Sequence, residues 1–395
     1  MRPVPRRLVI GVLLALVAAA VGFFAVVAPV VDSRLNTVRA RPPYAVGERA
    51  RALHATLRVA DLHDDLLLWP RDPLARSSRG STDVPRLIEG NVAITVFSTV
   101  SRSPRGQNYL GNADESDNIT LLAAAERRPF DNWLWGRHLL ARARWTSEKL
   151  RTAARESGGQ LTFVASVSEL DAALEARSGK GKRLIGLLSV EGLQVLEGRL
   201  ENIDSLFRYG VRMAGLAHFV DNDVAGSAHG IAKGGLTPLG IQVVPRLEAA
   251  SIVIDLAHVS AAAVADVFRI VRRPLVVSHG GVAAVCPGPR NWTDDQLRLL
   301  ARNGGVIGIG FWETAVCDPT PGGIAKAIRH AVDIAGIDHV GLGSDWDGAI
   351  EAAFDATGLP MLTEALIAAG FTDDEIRKIM GENVIRILRE GLPGT

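Results

Sequence analysis

Ile252-Val-Ile-Asp-Leu-Ala-His258 and Leu275-Val-Val-Ser-His279 are two short apolar runs that each end in a histidine, separated by an amphipathic interval over 260–271. Short apolar runs suit strands buried on both faces, and strand, helix, strand in that order makes a parallel βαβ unit. The same kind of ending recurs along the chain. His63 and Asp65 follow Arg58-Val-Ala-Asp-Leu62, Glu191 follows Leu184-Ile-Gly-Leu-Leu-Ser-Val190, and Asp345 closes Val340-Gly-Leu-Gly-Ser344. Polar groups repeated at successive strand ends gather on one rim of a parallel barrel, where (β/α)8 enzymes carry their chemistry.

Working outward, strand candidates lie around Val59 and over 92–96, 184–190, 211–217, 252–256, 274–277, 306–311 and 339–343. Helical patterns fill the intervals at 260–271, 293–303 and 323–335, the second opening on Thr293 as a cap. Eight strands with intervening helices predict an α/β chain folded as a TIM-type (β/α)8 barrel over 51–395. Residues 101–160 break the rhythm. They read as an excursion between the second and third strands, a polar loop over 101–118 and a helix over 132–155.

The chain has 395 residues, is 47% hydrophobic and carries a net charge of +1, so one barrel fills most of it and no global charge draws it to nucleic acid. Ahead of the barrel, Arg2, Arg6 and Arg7 form a basic segment (1–7) and precede an uncharged run over 8–31. As a helix that run reaches about 36 Å, enough to cross a bilayer core. It is expected to be a single-pass signal-anchor with the N-terminus cytoplasmic, the alternative being a cleaved secretory signal. Residues 32–50 read as a short stalk, and the catalytic part is expected outside the cytoplasm. There a disulfide between Cys286 and Cys317 is permitted, and two unrelated buried thiols are equally compatible with the sequence.

His63-x-Asp65 puts two ligand types on one face of a strand end, because alternate strand residues point the same way. A single histidine after a strand is commonplace and usually structural. Joined with His258, His279 and Glu191 at other strand ends, the set suits Zn²⁺, and Glu191 is the natural carboxylate to bridge two ions.

These residues sit in segments through which the chain resembles the membrane dipeptidase (renal dipeptidase) family of zinc peptidases, within the metal-dependent hydrolase barrels. The segments are Asp61-Leu-His-Asp-Asp65, Thr82-Asp-Val-Pro-Arg-Leu87, Val190-Glu-Gly192, Gly235-Leu-Thr-Pro-Leu-Gly240, Asp255-Leu-Ala-His-Val-Ser260, Val277-Ser-His279, Cys286 with Pro289-Arg-Asn291, Asn303-Gly-Gly-Val306 and His339-Val-Gly-Leu-Gly-Ser-Asp-Trp-Asp-Gly348. The resemblance covers roughly 59–388 and implies hydrolysis of dipeptides by a hydroxide bridging two zinc ions per chain. It implies one zinc on His63, Asp65 and Glu191, and the other on Glu191, His258 and His279. It further implies that His218 contacts substrate, that Arg290 grips the terminal carboxylate, and that Asp345, rather than Asp347, holds the amine and shuttles a proton. A Cys286–Cys317 disulfide and a homodimer also follow from the resemblance.

The chain departs from the family pattern at Asp64, where Asn is common and which is expected to add charge beside the metals, and in the loop Phe219-Val-Asp-Asn-Asp223 to Gly226-Ser-Ala-His-Gly230. His229 in that loop reads as a loop histidine, with a further site residue as the alternative. The altered loop keeps open a related binuclear amidase or lactamase-like hydrolase. A non-catalytic binding barrel is the remaining alternative, and the complete ligand set argues against it.

Overall fold

The computed structural model describes residues 5–125, 138–179 and 182–395. Eight parallel strands close into a barrel: β1 Val59–Asp64, β2 Val92–Val100, β3 Leu184–Glu191, β4 Val211–Gly215, β5 Val253–Asp255, β6 Val276–Gly280, β7 Val306–Ile309 and β8 Val340–Leu342. Each pairs with its predecessor, and β8 returns to β1 through Leu342 opposite Asp61. Every residue of all eight strands is buried, as expected of a sheet with helices outside and packed side chains within. The (β/α)8 expectation therefore holds, with all eight strands where the apolar runs placed them.

The helices start where their caps put them. Thr293 forms a capping box with Gln296 ahead of the helix Asp294–Asn303, and Thr320 caps Pro321–Ala335. The C-terminal helix Asn383–Gly391 closes the end at which strands begin: Asn383 donates to the Val340 carbonyl at 2.8 Å. Between β2 and β3 the excursion carries the helices Asn118–Ala125 and Leu140–Glu156 and a short strand Leu161–Phe163 added to the edge of β3. The first residues of the helix expected over 132–155 lie outside the described residues.

The N-terminal helix runs over Arg6–Leu35, about 45 Å, and is long and apolar enough to cross a membrane. Its last turns are not free. Asp32 is fully buried and pairs with Arg71 at 3.2 Å and Arg79 at 2.9 Å, while Arg71 also holds Asp347 at 2.7 Å. Asn36 donates to Asp32 and accepts from the Ala349 amide, both at 2.9 Å, and Thr37–Val38 pairs with Glu351–Ala352. Residues 32–50, expected as a stalk, thus begin docked against the rim beyond β8. The physical reason is the buried Asp32 charge, which needs its two arginines. Asp32→Ala leaves the buried Arg71 with a single anion. It is expected to cost about 3 kcal/mol, read as a lower unfolding midpoint of the detergent-solubilised full chain.

Candidate active site

Four strand ends deliver imidazoles and three deliver carboxylates to one point, the first strand supplying one of each. His258 Nε2 lies 2.9 Å from Glu191 Oε1 and 3.0 Å from His279 Nε2. His279 Nε2 is 3.4 Å and His63 Nε2 3.9 Å from the same oxygen. Asp65 Oδ2 and Asp345 Oδ1 stand 3.6 and 3.9 Å from His63 Nε2, and His218 Nε2 is 3.2 Å from Glu191 Oε2. All seven residues are buried.

The backbone is bent to achieve this. His258 and Asp345 sit at φ 63° and 59°, in the left-handed region that non-glycine residues rarely occupy. Such strain persists where the surroundings impose it, and here it turns each side chain across its strand end into the cluster.

The hydrogen bonds around the cluster leave nitrogen lone pairs pointing inward. Ser278 Oγ donates to Asp255 Oδ2 at 2.6 Å, so His279 Nδ1–H donates to Ser278 Oγ at 2.8 Å and Nε2 stays unprotonated. His218 donates through Nδ1 to the Arg102 carbonyl at 2.9 Å, which likewise frees its Nε2. Burial holds His258 and His279 well below the usual imidazole range and His218 down to about 3. Neutral imidazoles are what a metal ligand requires.

The carboxylates behave conversely. Burial pushes Glu191 up to about 8 and Asp345 up to about 7, each raised further by Asp65. His63 is pushed up to about 10: burial opposes this and is outweighed by Glu191, Asp65 and Asp345. The site therefore calls for positive charge at its centre. His63 Nε2, Asp65 Oδ1 and Glu191 Oε1 are buried without a hydrogen-bond partner. Three overlapping groups, His63/Glu191/His279, Glu191/His218/His258 and His63/Asp65/Asp345, each bring their ligand atoms within 4.8 Å of one another. This donor set fits divalent metal ions.

The cluster forms the floor of a cavity of about 620 Å³, a usual size for a small-molecule site. Arg290 enters it from the loop after β6. Its Nη2 donates to the His279 carbonyl at 3.0 Å, its guanidinium stands 4.8 Å from the Trp312 ring centroid, and Nε faces no partner. A disulfide joins Cys286 to Cys317 and ties the Arg290 loop to the helix Glu313–Val316.

The family profile described as membrane dipeptidase (peptidase family M19) matches residues 47–391. The chain belongs to the membrane dipeptidase family. As a member it is a metallo-dipeptidase-class hydrolase. It is 31% identical to dipeptidase tcpJ of Claviceps purpurea over 349 residues, 86% of this chain and 75% of that protein. With dipeptidase verJ of Clonostachys rogersoniana it shares 36% over 219 residues, a match spanning 54% of this chain and only 56% of that relative. Among solved structures, a Rhodobacter sphaeroides metallopeptidase liganded with a phosphinate mimic of the dipeptide L-Ala-D-Ala superposes with a TM-score of 0.68 at 25% identity. That superposition covers 85% of this chain and 99% of the other.

Within this membrane dipeptidase family member, Asp347 is occupied away from the cluster. It accepts from the Ser81 amide at 2.7 Å and Thr82 Oγ1 at 2.8 Å and pairs with Arg71. Asp64, expected to add charge beside the metals, faces Thr82 instead and accepts from the Leu66 amide. Burial and the nearby Asp347 push Asp64 well above the usual carboxylate range. His229 is fully buried, stacked on Phe219 at 4.6 Å and only 5.3 Å from His258, closer to the site than a loop histidine was expected to lie.

Sequence reasoning assigned no role to the pair of brackets beneath the ligands. Asp255 binds Ser278 on β6, and Asp61 binds the Ser344 amide at 2.8 Å and its hydroxyl. Each bracket clamps a ligand-bearing strand end to its neighbour. The available signal was a carboxylate inside an otherwise apolar strand, which must find partners there.

Proposed function

We propose that the cavity hydrolyses dipeptides with two zinc ions held by His63, Asp65 and Glu191 and by Glu191, His258 and His279. The observation that carries this reading is the Glu191 carboxylate facing the Nε2 atoms of His63, His258 and His279 through one oxygen. A bound zinc pair supplies Lewis acidity toward the scissile carbonyl and an activated water near neutral pH. Asp255, through Ser278, fixes the His279 tautomer, and the Arg102 carbonyl does the same for His218. His218 presents Nε2 toward the position of the substrate carbonyl. Asp345 receives the substrate's amine and carries a proton to the leaving nitrogen. Arg290 grips the terminal carboxylate with a planar fork whose orientation Trp312 and the His279 carbonyl set.

Arg290 for the terminal carboxylate and Asp345 for the amine line one cavity and select for length, since a tripeptide leaves one of them without its partner. The N-terminal helix is read as a retained anchor that holds the barrel outside the cytoplasm. The test is a panel of L,L and L,D dipeptides with matched tripeptides and N-acyl amino acids, assayed with zinc and then with chelator. Chelator-sensitive cleavage confined to dipeptides is expected. Cleavage of N-acyl amino acids alone would move the chain to another amide substrate. Arg290→Met should lower kcat/KM for dipeptides about a hundredfold and for carboxyl-amidated dipeptides far less. Equal losses on both substrates would remove Arg290 from carboxylate binding.

A further inference from the structure

The N-terminal helix is about 45 Å long against a bilayer core of about 30 Å, so its last ten or so residues stand beyond the core and can serve the cavity as well as attachment. From these turns Val27, Val31 and Leu35 line the same cavity as Asp65, Glu191, Arg290 and Asp345, and Leu68 and Ile350 continue the apolar surface. The same helix is held against the barrel by buried contacts at its C-terminal end. Ala28 is buried at 1% exposure on the same helix, and Asp32 is locked to Arg71 and Arg79.

The position of this wall identifies what it faces. Asn36 at the helix end accepts from the Ala349 amide, four residues past Asp345, and Gly348, Ala349 and Ile350 themselves line the cavity. The apolar surface thus adjoins the end of the site assigned to the amine. Arg290 is supplied by a different segment, the loop after β6.

We propose that the last turns of the N-terminal helix form a specificity wall that accepts a large apolar side chain on the amino-terminal residue of the dipeptide. This rests on the dipeptidase reading above. Leu or Phe placed there removes apolar surface from water, whereas Ala leaves the wall without a partner. The helix is then part of the substrate site, and a chain without it has a cavity open on one side.

The experiment uses the full chain, zinc-loaded, in detergent micelles, and compares kcat/KM for Phe-Ala, Ala-Phe and Ala-Ala. In a Val27→Ser/Val31→Ser double variant, the Phe-Ala to Ala-Ala ratio should fall about tenfold while the Ala-Phe to Ala-Ala ratio does not move. Val31→Phe, which keeps the wall apolar but fills it, should lower the same ratio and serves if the serine variant does not fold. An unmoved Phe-Ala ratio, or both ratios falling together, overturns the proposal. A zinc-loaded wild type that cleaves none of the three overturns the dipeptidase reading itself, and this inference with it.

Discussion

Glu191→Gln is expected to lower kcat/KM for dipeptides about a thousandfold or more, equivalent to about 4 kcal/mol of transition-state stabilisation, and to strip metal from the purified protein. Oε1 of this one side chain faces three imidazole nitrogens, while Oε2 faces a fourth, that of His218. An amide of the same shape is neutral and must turn its NH2 toward either a cation or a lone pair, so neither rotamer serves both centres. The fold should survive. Burial already pushes Glu191 up to about 8, so its carboxylate is a burden on the metal-free protein. A carboxyl raised in the folded state contributes stability that is lost as pH climbs from the ordinary carboxylate range through about 8, and Gln does not ionise. In chelator at pH 9 the variant should therefore unfold at or above the wild-type midpoint. Steady-state kinetics, bound-metal analysis and thermal unfolding together check this. Near-normal turnover would end the bridging role.

Asp345→Asn is the second large effect, a loss of about a thousandfold in kcat, within the usual range for removing a positioned acid or base. Asp345 lies 3.9 Å from His63 and is strained at φ 59°, a conformation Asn tolerates well, so the backbone should remain in place. What disappears is a carboxyl that burial raises to about 7, able to hold and release a proton near neutrality. The dependence of kcat on pH in that region should flatten in the variant. Retention of the wild-type profile at reduced rate would assign that titration to another group and reduce Asp345 to a binding residue.

Much of this is legible in the amino-acid sequence alone. Strands buried on both faces are apolar throughout, so eight runs such as 184–190 and 306–311 announced themselves, and the polar residue closing several of them marked the rim. The remainder was illegible for specific reasons. The strand Leu161–Phe163 and the two-residue pairing of Thr37–Val38 are too short to show a period. The Asp32–Arg71–Asp347 network joins residues hundreds of positions apart, and no local pattern links them. The docking of the N-terminal helix was hidden because a uniformly apolar segment has no contrasting face to betray which side is covered. Asp64 misled because residue type alone does not say whether a carboxyl turns toward a cluster or away from it.

The Cys286–Cys317 bond closes a loop across a sequence separation of 31 that contains the helix Asp294–Asn303 and β7. Closing a loop of that size removes conformational freedom from the unfolded chain worth about 4 kcal/mol at 25 °C in the chain-entropy treatment. An oxidised chain that has lost its fold therefore still keeps the ends of β6 and β7 within reach of each other. The seventh unit cannot drift off alone, and refolding starts with one long-range neighbour already chosen. A reduced chain must find that neighbour by search. Recovery from heat should then depend on the redox state of the surroundings more than the native activity does, making the compartment a determinant of how long the protein lasts.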